Sequence, residues 1–200
     1  MLALSTRPRV QESINLPTTR LPALMGTTSA LLGFASAAVS AYWLAGGTAL
    51  LDTVGGNLET WGRSGATSVV FVLAAVVIAK AGLAFIAIGV VFPVRIGWIP
   101  RRLVRGAGWF GGTILTAYGG LLTTVGLLVQ AGIITASADA DHRALAWHTY
   151  LWDPWFFFWG ATLLLCLWMT GHPGAVATFT VADEAKPITP EMVREANEVA

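Results

Sequence analysis

The chain has 200 residues, of which 55% are hydrophobic and only 12% are charged, and its formal net charge is +1. A soluble domain carries about 25% charged residues, so this composition excludes an ordinary soluble protein. The basic residues are dispersed rather than clustered among exposed aromatic residues, so no nucleic-acid binding is predicted.

Four apolar segments predict membrane-spanning helices, because each approaches the roughly 20 residues that a span needs. We therefore predict an all-α integral membrane four-helix bundle, residues 23–172. A disordered or peripheral N-terminal arm, residues 1–22, precedes it. A tail, residues 173–200, follows it and contains a short amphipathic helix after Pro190. The predicted spans cover about residues 24–45, 66–91, 110–134 and 155–171.

Lysine and arginine are distributed unequally between the two sides that four spans would define. One side holds nine of them, and the other holds only two, Arg63 and Arg143. Because the cytoplasmic loops of membrane proteins are enriched in Lys and Arg, we predict that both termini and the Arg-rich second loop are cytoplasmic. The expected location is a membrane that the chain crosses several times. The nine residues are Arg7, Arg9, Arg20, Arg95, Arg101, Arg102, Arg105, Lys186 and Arg194.

A cleaved signal peptide is the alternative interpretation of the first span, because three arginines precede an apolar stretch with the small-residue run FASAAVSA. The apolar run continues beyond that site, which favours a spanning helix. Gly33, Ala37, Ala41 and Ala45 recur every four positions and predict a smooth face for close helix packing.

Lys80 stands near the middle of the second predicted span, where a lysine costs about 2.5 to 3.5 kcal/mol on insertion scales. No Asp or Glu occurs inside another predicted span. Three interpretations remain open: the side chain snorkels or bonds backbone carbonyls, it meets an acidic group of another subunit, or it lines an anion or substrate cavity. Ionisable residues at this depth are usually functional, so Lys80 is a candidate ligand or partner contact.

The first outer region, AYWLAGGTALLDTVGGNLETWGRSG, concentrates polar and aromatic side chains. Its carboxylates form a candidate pair for chemistry, and its aromatic residues are typical of membrane-interface anchors. A loop that folds back on the bundle is the simpler interpretation. The candidate ligand or partner contacts in this region are Tyr42, Trp43, Asp52, Glu59 and Trp61.

The second outer region ends in WDPW, which supplies three further candidate contacts, Trp152, Asp153 and Trp155. Pro154 is of the type found in the first turn of a helix, and an aspartate before it can accept from the free backbone N–H groups. We therefore predict that Asp153 and Pro154 form the cap of the fourth span, with Trp152 and Trp155 as interface anchors.

Metal and haem sites are not predicted. His142 and His148 are six residues apart, so they do not lie on one helix face, and no zinc motif surrounds them. All three histidines, these two and His172, fall outside the predicted spans, so a pair of axial haem ligands cannot be placed inside the bundle. The single cysteine, Cys166, excludes a disulfide framework within the chain.

Two stretches resemble the hallmark segments of the DUF3995 family of small four-span actinobacterial membrane proteins. The first is AYWLAGGTALLDTVGG at residues 41–56, which matches a YWALGG-like motif at Tyr42, Trp43, Gly46 and Gly47. The second is WDPWFFFWGATLLLCLWMTG at residues 152–171, which matches a WDPWF motif over its first five residues. The family pattern often has a histidine two residues before the YW pair, where this chain has Ser40, so no shared histidine chemistry carries over. The resemblance implies architecture, membrane location and an actinobacterial source, and it implies no activity.

These features together predict a non-enzymatic membrane component, either an accessory subunit of a larger membrane complex or a small-molecule binding membrane protein. One alternative is a small transporter or channel that uses Lys80 and the acidic and aromatic residues of the outer face. A second is a membrane enzyme that acts on a lipid or quinone at the outer leaflet. The expected partners are the lipid bilayer and a protein of a membrane complex. No cofactor, metal or catalytic residue is predicted.

Overall fold

The structure, a computed structural model, describes residues 20–92, 99–137 and 140–171, without the side chains of residues 57 and 58. All regular secondary structure in these residues is helical, which confirms the predicted all-α fold. The N-terminal arm before Arg20 and the tail with its predicted amphipathic helix lie outside the described residues. The helices are α1 (Arg20–Leu44), α2 (Gly56–Ser64), α3 (Thr67–Val91), α4 (Arg101–Gln130), α5 (His142–Trp147) and α6 (Asp153–Gly171).

Four helical stretches in the described residues are long and apolar enough to cross a membrane, as the sequence predicted. They are α1, α3, α4 and the continuous stretch His142–Gly171, which contains α5 and α6. We call the end of the bundle at which α1 ends and α3 begins the upper end. Residues 45–66, which connect these two helices and contain a short 3₁₀ turn (Leu51–Thr53) and α2, are called the cap segment.

Helix α4 differs from the predicted third span at both ends. It begins at Arg101, directly after the extended N-cap residue Pro100, rather than near residue 110. The first turns of the helix therefore precede the predicted apolar core. It ends at Gln130 rather than at residue 134. There Gly132 adopts a left-handed conformation with a φ of 71°, and Ile133 N–H donates to the Leu128 carbonyl. This pattern is a Schellman motif, which ends helices at glycine.

Small residues form the buried face of α1. Gly33 lies so close to both neighbours that an added Cβ would be 2.8 Å from Ala84 of α3 and 2.8 Å from the Trp159 ring of α6. The predicted smooth face is only partly correct, because Gly33 and Ala37 are buried, whereas Ala41 is half-buried and Ala45 is exposed. The buried face follows a spacing of three and four residues instead, through Gly26, Ser29, Ala30, Gly33, Ser36, Ala37 and Ser40.

A seam of glycines joins α4 to α6. Gly108, Gly112, Gly119 and Gly126 are the buried residues of α4. An added Cβ at Gly119 would meet backbone atoms of α6 directly, so the two helices touch through their main chains there. Since small residues let membrane helices approach closely, this seam and the α1 face together set the bundle geometry.

The fourth span begins earlier than predicted, and the predicted cap is wrong. Asp153 has helical dihedrals, φ −75° and ψ −43°, and its N–H donates to the carbonyl of His148, five residues back. Residues His148–Trp152 form a π-helical turn that joins α5 to α6 without a break. Pro154 lacks an N–H and crowds the preceding turn, which a wider π turn accommodates. The N-cap is Asp141, whose carboxylate accepts from the N–H groups of Arg143 and Ala144.

Candidate ligand cavity

The buried hydrophobic core lies in the lower half of the bundle, whereas the upper half contains a cavity of about 820 Å³. Helices α1, α3, α4 and α6 form its walls, and the cap segment covers its upper end. The volume lies within the range of about 300 to 1,000 Å³ that is typical of small-molecule sites. Most of its lining is apolar, including Val39, Val69, Val72, Leu73, Val76 and Leu115.

Lys80 lines the cavity, and its ammonium lies higher in the bundle than its backbone. A helical side chain is directed toward the N-terminus of its own helix, and α3 begins at the upper end. The Nζ atom therefore reaches Ser40 Oγ, to which it donates at 2.9 Å. Ser40 is four residues, about 6 Å of helix rise, below Leu44 at the end of α1.

The Lys80 ammonium has two partners in the described residues, and neither is anionic. Besides Ser40, it lies 5.3 Å from the centroid of the Phe156 ring, a cation–π distance. None of the ion pairs in the described part of the chain includes Lys80. An ammonium has three N–H donors, and one of them bonds Ser40. The others are available to a molecule bound in the cavity, which Lys80 lines.

A histidine and a buried carboxylate lie on the same wall. His148 Nδ1 is 3.1 Å from Asp153 Oδ1, and its Nε2 is 3.2 Å from the carbonyl oxygen of Val54 in the cap segment. Asp153 is only 3% exposed, and His148 lines the cavity. Both partners are acceptors, so a neutral ring donates to one of them and an imidazolium donates to both. Both ring nitrogens are therefore directed at oxygens of the protein, Asp153 Oδ1 and the Val54 carbonyl.

Tryptophans hold the cap segment over the cavity. Trp43 Nε1 donates to the carbonyl of Ala49 at 2.9 Å, and Trp152 Nε1 donates to Thr53 Oγ1 at 3.1 Å. The rings of Trp43 and Trp152 pack edge to face with centroids 5.9 Å apart. Both line the cavity, as does Trp61. The indole N–H groups of Trp43 and Trp152 therefore bond the cap segment to the ends of the helices.

The other predicted contacts lie away from the cavity lining. Tyr42 packs its ring against Gly47, and its hydroxyl accepts from Ala49 N–H at 3.4 Å. Trp155 was expected at the interface, but its Nε1 donates to the Leu32 carbonyl of α1 at 3.0 Å, so the ring is directed into the bundle. The structure thus assigns Trp155 to helix packing.

The two outer carboxylates are each paired with a separate arginine. Asp52 Oδ2 is 2.9 Å from Arg143 Nη2 and joins the cap segment to α5. Glu59 Oε1 is 2.9 Å from Arg63 Nη2 within α2. No group of three or more His, Cys, Asp or Glu residues in the described ranges is arranged to hold a metal ion.

Among the cavity residues that were not predicted contacts, three are polar or aromatic neighbours of the Lys80 site. Ser40 bonds Lys80, Phe156 lies beneath its ammonium, and Tyr118 of α4 lines the opposite wall. Each belongs to a different helix from Lys80, so no local spacing in the sequence connects them. The one available signal was Ser40 itself, at the position where the related pattern often has a histidine.

The model of the DUF3995 family, described as a protein of unknown function, matches residues 33–163, which is more than half of the chain. The matched range contains all the residues that line the cavity. No curated protein and no solved structure shows significant similarity to the chain.

Proposed function

The chain belongs to the DUF3995 family, whose function is unknown, and from its cavity we propose that it is a membrane protein that binds an apolar molecule carrying one anionic group. The observation that carries this proposal is Lys80, an ammonium that faces an apolar cavity and forms no ion pair in the described residues. Intramembrane charges usually face a cavity and pair with a counter-charge. A carboxylate on the ligand provides that counter-charge.

The aliphatic and aromatic lining specifies the rest of the ligand. Trp43, Trp152, Tyr118 and Phe156 offer flat apolar surfaces, and valines and leucines are the commonest of the other lining residues. The polar groups of the lining are few beside this apolar surface, so the site favours a single acyl chain or a ring system over a sugar or a nucleotide, which carry many polar groups. We therefore place fatty-acid-like and aromatic carboxylic acids first among the ligands.

The position of Lys80 also bears on the alternatives. An accessory subunit that used Lys80 to meet a partner would direct it outward, whereas here it lies between α1, α3 and α6. For an enzyme at this site His148 is poorly placed as a base, because its two ring nitrogens face the oxygens of Asp153 and Val54. We propose a bacterial plasma membrane as the location, with both termini cytoplasmic and the cavity in the outer half of the bilayer.

Tryptophan quenching tests the proposal, because Trp43, Trp61 and Trp152 line the cavity. The full chain in lipid nanodiscs is titrated with dibrominated stearic acid and, separately, with the corresponding brominated alcohol. The acid should quench at lower concentration than the alcohol. Lys80→Met should weaken acid binding about tenfold, equivalent to about 1.4 kcal/mol, and leave alcohol binding unchanged. Lys80→Arg should retain the preference for the acid.

Arg102→Met provides the matched control, since Arg102 is an exposed cation near the start of α4 and lies outside the cavity lining. It should bind both probes as the native chain does. Equal quenching by acid and alcohol in the native chain would refute the proposal, as would a preference that persists in Lys80→Met. Thermal unfolding of each variant separates a loss of binding from a loss of fold.

A further inference from the structure

The walls formed by α3 and α4 are closed in the lower half and open in the upper half. In the lower half, an added Cβ at Gly111 of α4 would lie 2.8 Å from Leu83 of α3, and one at Gly108 would lie 3.1 Å from Ile86. The two helices therefore touch there. Farther up, both helices contribute side chains to the cavity lining instead of packing on each other.

Cavity-lining residues along this upper gap are exposed on the side of the bundle. Val72 of α3 is 60% exposed, and Ile114 and Tyr118 of α4 are 50% and 48% exposed. A residue that lines a cavity and is also half exposed marks a place where the cavity opens. The same criterion marks a second opening where α2 meets α3, at Trp61, which is 54% exposed, and at the exposed residues Ser64 and Ala66. In a spanning bundle, the side of α3 and α4 faces lipid rather than water.

On the side of α5 and α6, bonds that cross from the helices to the cap segment close the upper end. Three of them tie residues 52–54 to the α5–α6 region: the Asp52–Arg143 ion pair, the Trp152–Thr53 hydrogen bond and the His148–Val54 hydrogen bond. Leu51 is 3% exposed and Thr53 is 1% exposed, so this part of the cap segment is packed as well as bonded. Entry on that side requires several of these contacts to break together.

We propose that the ligand enters the cavity sideways from the lipid, through the gap between α3 and α4, and not from water through the cap segment. This inference rests on the proposed ligand-binding function and narrows it: the ligand is an amphiphile that partitions into the bilayer. Its acidic group reaches the Lys80 ammonium while its apolar part lies along Val72, Val76 and Ile114.

Association kinetics in membranes distinguish the two routes. The full chain in liposomes is mixed with brominated fatty acids of two chain lengths at the same free aqueous concentration, so that the longer acid has the higher mole fraction in the bilayer. For lateral entry the quenching rate follows the mole fraction in the bilayer. For entry through the cap segment it follows the aqueous concentration, which would overturn the inference.

Matched variants locate the entrance. Val72→Phe with Ile114→Phe narrows the gap and should slow association several-fold. Ile78→Phe with Leu121→Phe adds the same bulk to exposed positions of α3 and α4 outside the cavity lining and should leave the rate unchanged.

Thr53→Val reports on the other route. It removes the acceptor of the Trp152 bond, and Thr53 does not line the cavity. Its association rate should equal that of the native chain; a faster rate in Thr53→Val, or no slowing in the narrowed variant, would overturn lateral entry. Absence of quenching in the native chain would instead refute ligand binding itself, so the two proposals fail separately.

Discussion

Gly119 shows how one residue sets a helix contact in this bundle. An added Cβ there would meet the backbone of Asp153 and Phe157, which cannot move as a flexible side chain can. Gly119→Ala should therefore destabilise the protein by about 1 to 3 kcal/mol through overpacking, although alanine is the better helix former by about 1 kcal/mol. Denaturant or thermal unfolding in detergent measures the change.

The matched control lies in the same helix. Gly106 has nothing within 4 Å of an added Cβ, so Gly106→Ala gains helix propensity without a clash and should be neutral or slightly stabilising. Equal stabilities of the two variants would contradict the proposed close contact of α4 with α6.

At the same scale, Lys80 could be singled out from the sequence, but its surroundings could not. A charge inside an apolar span is conspicuous in any single sequence. Its partners Ser40 and Phe156 are 40 and 76 positions away in the sequence. Only the packing of α1, α3 and α6 against one another brings them close to Lys80. The ammonium donates to the Ser40 hydroxyl and lines the cavity, and the three interpretations of its role stay predictions.

The cap segment is held to the bundle largely by side chains, which gives a prediction for that element. Trp152→Phe keeps an aromatic ring but removes the donor to Thr53 Oγ1. Loss of one hydrogen bond of about 1 kcal/mol should speed amide exchange in residues 50–56 about fivefold. Hydrogen–deuterium exchange with mass spectrometry measures this change. Trp109→Phe, at a 41% exposed position of α4, is the control and should leave exchange in the cap segment unaltered.

The element boundaries show what apolar patterns predict and what they miss. The four spans were predictable because long uncharged runs have few alternatives in a membrane protein. The start of the last span was not, since Asp153 and Pro154 have the residue types of a helix start and yet lie inside a helix that begins at His142. An aspartate before a proline is compatible both with a helix cap and with a π turn. In this structure, the Asp153 N–H donates to the His148 carbonyl and the Asp153 carboxylate lies beside the His148 ring, which places Asp153 at the end of the π turn. The sequence predicted that small residues of α1 pack closely against other helices. Which of them are buried depends on where α3 and α6 lie against α1, and the sequence pattern alone does not give that.

The whole molecule has an asymmetric charge distribution that predicts its orientation, with nine Lys and Arg residues on one side and two on the other. We expect a membrane-impermeant maleimide to label Glu59→Cys and Arg143→Cys in intact bacterial cells and to label Arg102→Cys only after permeabilisation. The native Cys166 is fully buried and adds little background. Labelling of Arg102→Cys in intact cells would reverse the orientation and place the cavity, with Lys80 and the gap between α3 and α4, in the cytoplasmic leaflet. The result therefore decides which leaflet supplies the ligand.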